Sequence, residues 1–218
     1  MTSTTNRLVP LTAFAAAILT AIGLFEAPHA PAKDQAPTAS LAEIAALLAG
    51  RYDNAAQVAG GQAEHPPPQH VTITIEPTPR PDWQIWRVHM DVDPDVARDA
   101  GSDTSLDAVW AMNSTQTARG IELVPYTSKP SFDPTSIQAG AFDEAQWLSL
   151  SACALSGSFS AANIVADAPV DEMCVAATMG LGGKRAFLPT SVTRSGDGLQ
   201  LQLIYFGRPW RVEAHRSG

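Results

Sequence analysis

From Val71 onward the chain alternates. Val71, Ile73 and Ile75 are separated by Thr72, Thr74 and Glu76. After a proline-rich turn (Pro77, Pro79, Pro81), Trp86, Val88, Met90 and Val92 alternate with Arg87, His89, Asp91 and Asp93. A period of two sends one set of side chains to one face of a pleated strand. The stretch therefore predicts strand, turn, strand, with the aliphatic and aromatic set facing a core. Further strands are expected over 108–113, 121–126, 153–159, 174–178, 185–193, 199–206 and 210–215. The segments between them carry turn chemistry: Ala118-Arg119-Gly120, Gly180-Leu181-Gly182-Gly183 and Ser195-Gly196-Asp197-Gly198.

Upstream of Val71 the period is helical. Ser40 stands three residues before Glu43, the spacing of a capping box, and Leu41, Ile44, Leu47 and Leu48 fall on one face. Gly50 interrupts this helix, and Arg51-Tyr52-Asp53-Asn54 reads as one further turn. The stretch 60–70, with Pro66-Pro67-Pro68, is a loop, since three prolines fit neither a helix interior nor a central strand. A second short helix is expected over 142–150, with Asp143 and Glu144 favourable at its start.

Eight or nine short strands without long intervening helices leave no α/β crossovers, so the sheet is antiparallel. A sheet of that many strands curls and closes to remove its edges, and about eight strands enclose room for one small ligand. The fold class expected is all-β: an antiparallel, calyx-like (lipocalin-like) β-barrel with an amino-terminal helix, forming one domain over 40–218.

The first 32 residues have the layout of a secretory signal. Arg7 precedes a mostly apolar run from Leu8 to Phe25, and Ala30-Pro31-Ala32 offers small residues where a signal peptidase cuts. A retained anchor is the other reading, but Pro10, Thr12, Thr20 and Gly23 leave the uninterrupted apolar part short of the roughly 20 residues a spanning helix needs. Residues 33–39 form a flexible lead-in. The chain is expected to be exported, to the periplasm or as a secreted protein, and to meet a membrane only through its signal segment.

Composition narrows the partners. A net charge of −8 gives no electrostatic footprint for nucleic acid, and 17% charged residues with 15 Gly and 17 Pro describe a turn-rich globular domain. Cys153 and Cys174 are the two cysteines, and in an oxidising compartment they read as one disulfide. Their spacing fits no redox or zinc motif.

Candidate chemistry is sparse. Asp91, Asp93 and Asp95 have the start of a calcium loop, but Val96 stands where its turn needs Gly and Ser102 where it needs a bidentate Glu. His65, His70 and His89 lack the spacing of a zinc site, so no metal is expected. No G-x-S-x-G elbow occurs, Gly180–Lys184 lacks the spacing of a phosphate loop, and no catalytic set stands out. Asn113-Ser114-Thr115 is a glycosylation sequon if the secreting cell is eukaryotic. Trp83, Trp86, Trp110, Trp147 and Trp210 are core fillers or, turned into a barrel, the lining for a flat conjugated ligand.

Leu48-Ala-Gly-Arg-Tyr-Asp-Asn54-Ala-Ala-Gln57 is similar to an L-x-G-x-F/Y-x-N-x-x-Q signature, and Leu150-Ser-Ala-Cys153-Ala-Leu155, Phe159 and Cys174 follow in the order of an L-P-G-C turn, a Phe-bearing strand and a second Cys. Arg185 with Val192, and Pro209-Trp210-Arg211-Val212, complete the pattern. Over residues 41–215 the chain resembles the CpcT/CpeT chromophore lyase family. The resemblance implies a calyx-like barrel and a lyase activity that binds a linear tetrapyrrole (bilin) and attaches it to a cysteine of an acceptor protein. The bilin would be a substrate ligand, with no resident cofactor.

Where the family has a Tyr-Arg-x-Arg strand, this chain has Val109-Trp-Ala-Met112. The alternative is therefore an exported lipocalin-like protein that binds a small apolar ligand without lyase activity. In either case the ligand-binding residues expected are Trp86, Trp110, Tyr126, Arg185, Tyr205 and Arg211. The partners expected are a small apolar or tetrapyrrole ligand and an acceptor protein, with room for a homodimer.

Overall fold

The computed structural model describes residues 39–61, 69–91, 105–181, 187–205 and 208–217. The signal segment, nearly all of the lead-in, Asp93, Asp95 and Arg185 lie outside them, and of Tyr205 only the backbone is described.

Helix α1 (Leu41–Leu48) is capped as its sequence requires. The Ser40 hydroxyl accepts from the Glu43 N–H at 3.2 Å, and the Glu43 carboxylate accepts from the Ser40 N–H at 2.7 Å. The helix stops because Gly50 takes φ +150°, a conformation open to Gly, and starts strand β1 (Gly50–Asp53). Residues 51–54 are thus not the further helical turn the sequence suggested. Tyr52 is fully buried in β1, and a short helix α2 (Ala55–Gly60) follows.

The remaining strands are β2 (Val71–Pro77), β3 (Trp83–Asp91), β4 (Ser105–Thr117), β5 (Gly120–Ser128), β6 (Trp147–Ser149), β7 (Leu155–Phe159), β8 (Asn163–Asp167), β9 (Ser191–Ser195), β10 (Gly198–Tyr205) and β11 (Arg208–Arg216). Every pairing is antiparallel, in the order β4-β3-β2-β1-β11-β10-β9-β8-β7-β5, and β4 pairs with β5 to close the ring. The result is a closed ten-stranded barrel, with β6 added beside β7 along the outer edge of β5. The expected calyx-like architecture is the one observed.

The alternation read from the sequence sorts the side chains. Val71, Ile73 and Ile75 of β2, Trp86, Val88 and Met90 of β3, and Leu199, Leu201 and Leu203 of β10 all point into one interior cluster. Helix α1 adds Ile44 and Leu48 to it. These side chains are at most 2% exposed, so the interior is packed around them.

Two expected elements are replaced. The segment 174–178 is helical: α3 (Glu172–Thr178) starts at Asp171, whose carboxylate accepts from the Met173 and Cys174 N–H groups, both at 3.0 Å. Buried Cys174 and Thr178 lie four apart on one face while Met173 is exposed, a helical period hidden in a short apolar run. The helix expected over 142–150 is instead a single 3₁₀ turn, Glu144–Gln146, leading into β6. Pairing of Trp147–Ser149 with Tyr126–Ser128 takes the backbone that a helix would have used.

Cys153 and Cys174 form a disulfide with their Cα atoms 4.9 Å apart. The bond ties the 3₁₀ turn Ser151–Cys153 to α3 and is consistent with an oxidising compartment. No described helix is long and apolar enough to cross a membrane.

Candidate functional site: the two faces of the β3–β4 wall

Strands β3 and β4 pair over nine residues from Trp83↔Asn113 to Asp91↔Ser105, and their two faces carry different chemistry. On the inner face, Trp86 lies directly opposite Trp110, and Gln84 opposite Met112. All four are buried. The Trp86 indole N–H donates to Gln84 Oε1 at 3.0 Å. Gln84 Nε2 and the Trp110 indole N–H are left with no acceptor among the described residues. A buried donor without a partner costs about 1–3 kcal/mol, so two on one small patch are an unusual expense for a barrel wall.

On the outer face, Trp83, Ile85, Val109, Ala111 and Trp147 form a second buried cluster. The segment from Lys129 to Gln146 lies over it as a strap. Phe142 of the strap sits 4.9 Å from the Trp83 ring and 6.3 Å from the Trp147 ring, while Tyr126 lies 4.6 Å from Trp83. The indole N–H groups of Trp83 and Trp147 also lack acceptors, although Trp83 is 1% and Trp147 5% exposed.

The predicted ligand-binding residues divide between these places. Trp86 and Trp110 are brought together inside the barrel. Tyr126 is on the opposite side of the wall, packed against the outer cluster. Arg211 is exposed on the outside of β11, where its guanidinium donates to Gln200 Oε1 at 2.8 Å and meets Glu213 at 3.2 Å. There it borders a shallow polar cleft of about 210 Å³ with Ser191, Thr193 and Gln202. Arg185 and the side chain of Tyr205 lie outside the described residues.

Three residues with site-like surroundings were not singled out from the sequence: Gln84, Phe142 and Arg194. Gln84 was one polar residue in a strand end. Arg194 shares the inward parity of Val192 and is 2% exposed. It donates from Nε to the Leu47 carbonyl at 3.1 Å, and from Nη1 to the carbonyls of Gly196 and, at 3.2 Å, Gly198. Its charge is therefore spent on backbone carbonyls, three of the groups that a helix end and a turn leave over.

A chain of ionisable groups runs along the outer ends of β2, β3 and β4. His89 Nδ1 lies 2.8 Å from Asp107, His89 Nε2 lies 3.2 Å from Asp91, and His70 Nδ1 lies 2.8 Å from the other oxygen of Asp91. The Asp107 hydrogen bond, helped by Asp91, holds His89 above the usual imidazole range. The His70 hydrogen bond, with that of His89, holds Asp91 below the usual carboxylate range. Among the described residues, no group of three His, Cys, Asp or Glu is placed to hold a metal ion.

No protein-family model matches the chain, and no curated protein matches it in sequence.

Proposed function

We propose that the protein is an exported, calyx-type binding protein for a small, flat, largely apolar ligand that carries a hydrogen-bond acceptor. The observation that supports this reading is the pair of unpartnered donors, Gln84 Nε2 and the Trp110 indole N–H, on an inner wall paved by two tryptophan rings. A ligand that stacks on those rings and presents a carbonyl between them would supply the missing acceptor. The wall is closed over in this state, so the ligand enters by displacing side chains. Met112, opposite Gln84 and diagonal to Trp86, is unbranched and adapts at low cost.

A linear tetrapyrrole has this chemistry, with conjugated rings and lactam carbonyls, and the resemblance to bilin lyases points to the same class. Transfer to an acceptor cysteine would also require basic groups for the propionates. Arg211 faces outward and Arg194 is committed to carbonyls. Among the described residues no basic side chain is free on the inner wall, and this supports binding without transfer. The signal-like amino terminus and the disulfide support export.

Titration of the mature domain with biliverdin tests this. A shifted visible band and quenched tryptophan emission are expected, and Trp110→Phe, which keeps a ring and removes the donor, should weaken binding roughly tenfold. An unchanged spectrum at saturating biliverdin, or equal affinity in Trp110→Phe and Gln84→Leu, would overturn the reading.

A further inference from the structure

The outer face of the β3–β4 wall is separated from the barrel interior by the sheet itself, and its chemistry stands independently of what the interior binds. Three observations meet there. First, a ring of the strap, Phe142, lies between two tryptophans at centroid distances of 4.9 and 6.3 Å, within the spacing of stacked and tilted aromatic pairs. Second, both of those tryptophans are more than nine-tenths buried and carry indole N–H groups with no acceptor. A phenyl ring fills the slot but offers its neighbours nothing to donate to. Third, the strap is held to the wall by side chains, with Phe132, Ile137, Ala139 and Phe142 packed on the outer cluster, and its backbone adds no ladder to them. Among the described residues its backbone hydrogen bonds stay within it, including the Lys129–Gln146 bond that joins its two ends. Its polar side-chain attachments include the Arg80–Glu144 ion pair, exposed on both partners, and the bonds from Arg87 to the Thr135 and Ile137 carbonyls.

We propose that the strap covers a second ligand site, in which Phe142 holds the place of a flat aromatic ligand bearing acceptors at its edge. A heteroaromatic ring carrying a carboxamide has the required thickness and brings two acceptors, its ring nitrogen and its carbonyl oxygen, for the two indole N–H groups. Phe142 then acts as an internal competitor: the site opens when the strap swings out, and a ligand gains only what its acceptors add over the phenyl ring. Arg80 serves as the latch. Its guanidinium sits 5.7 Å above the Trp83 ring and pairs with both Asp82 and Glu144, so one side chain joins the wall to the strap.

Nicotinamide is a suitable probe, read through the indole N–H resonances of the full mature chain in ¹H–¹⁵N spectra. Resonances are assigned by single Trp→Phe changes. In Phe142→Ala, nicotinamide should bind roughly tenfold tighter than in the wild type and move the Trp83 and Trp147 resonances downfield while leaving those of Trp86 and Trp110 in place. Glu144→Ala leaves the slot intact and releases the latch, and should tighten binding about two- to fivefold. Unmoved Trp83 and Trp147 resonances in a well-dispersed Phe142→Ala spectrum would overturn the proposal, as would shifts confined to Trp86 and Trp110. If Phe142→Ala does not fold, Glu144→Ala decides alone, and wild-type affinity in that variant overturns it.

Discussion

The guanidinium of Arg194 sits 5.5 Å from the ring of Tyr52, and its Nε lies 3.2 Å from the tyrosine hydroxyl. Arg216 approaches the same ring to 5.6 Å and also donates to that hydroxyl. Tyr52 in turn donates to the Leu48 carbonyl at 2.7 Å. Two strand arginines and one strand tyrosine thus hold the last carbonyls of α1, which has no basic residue in its own final turn. Arg194→Met keeps the apolar stem and strands the buried carbonyls. It should cost about 2–3 kcal/mol in urea unfolding, and Tyr52→Phe about 1–2 kcal/mol. Losses below about 0.5 kcal/mol for both would show that the clamp contributes nothing to the fold.

The Cys153–Cys174 bond closes a loop with a sequence separation of 21. Replacing both residues by Ala should lower stability by about 3 kcal/mol. The native chain should give no reaction with a thiol reagent before reduction, and a stoichiometric reaction of two thiols there would refute the bond.

Gly157 pairs with Ala166 and leaves no room for a side chain against β8. A Cβ built on it would stand 2.1 Å from the Val165 carbonyl oxygen and 2.9 Å from Ala166 Cα. Both of those atoms are backbone of the paired strand. Gly157→Ala should therefore cost more than about 2 kcal/mol, whereas Gly140→Ala, with nothing within 4 Å of the added methyl, should stay within about 0.5 kcal/mol. Similar stabilities for the two variants would contradict this account of the β7–β8 contact.

The His–Asp chain gives a pH optimum with a definite direction. Asp107 and then Asp91 favour the charged imidazole of His89, so its folded pKa exceeds the unfolded value of about 6.5. Its contribution is complete below about pH 6.5 and is lost as pH rises through the folded value. Asp91 behaves oppositely: its lowered carboxylate contributes above about pH 4, and that contribution is lost as pH falls through its folded value. His70 faces Asp91 from the segment leading into β2, uncharged Thr72 lies opposite His89 on β2, and Arg87 precedes it on β3. These side chains are about half exposed, so each contribution is less than about 1 kcal/mol. Stability should peak between about pH 4 and 6.5, and His89→Gln should flatten the decline towards pH 8. A wild-type slope in that variant would refute the assignment.

Much of the barrel was legible because its signals were local. The Ser40–Glu43 box announced α1, and the β2 and β3 periods announced the first hairpin. Strand β8 was missed: its burial alternates, but the exposed position between buried Ile164 and Ala166 is Val165, so Asn-Ile-Val-Ala-Asp shows no alternation of apolar and polar residues. Helix α3 was missed because Asp171 was not read as a cap.

For the site, the inner tryptophans followed from parity, and so could the placement of Tyr126. Counted from inward Ile121 and Leu123, Tyr126 falls on the outer face. The slot around Phe142 had no sequence signal, because a strap is recognisable only from the wall it covers. The buried role of Arg194 depends on α1, some 150 residues earlier, and no local pattern records it.

A ring of ten strands has no first or last member. Each strand gives both its edges to neighbours, and β6, the one addition outside the ring among the described residues, is three residues long. Extended chains, whether fragments of other proteins or partly unfolded copies, find almost no ladder of free backbone groups on which to grow. In a compartment crowded with unfolded polypeptide, such a surface resists fibre-like self-association by its topology. Lifting the strap or rearranging side chains on the inner wall would expose no template, because neither movement opens the ring.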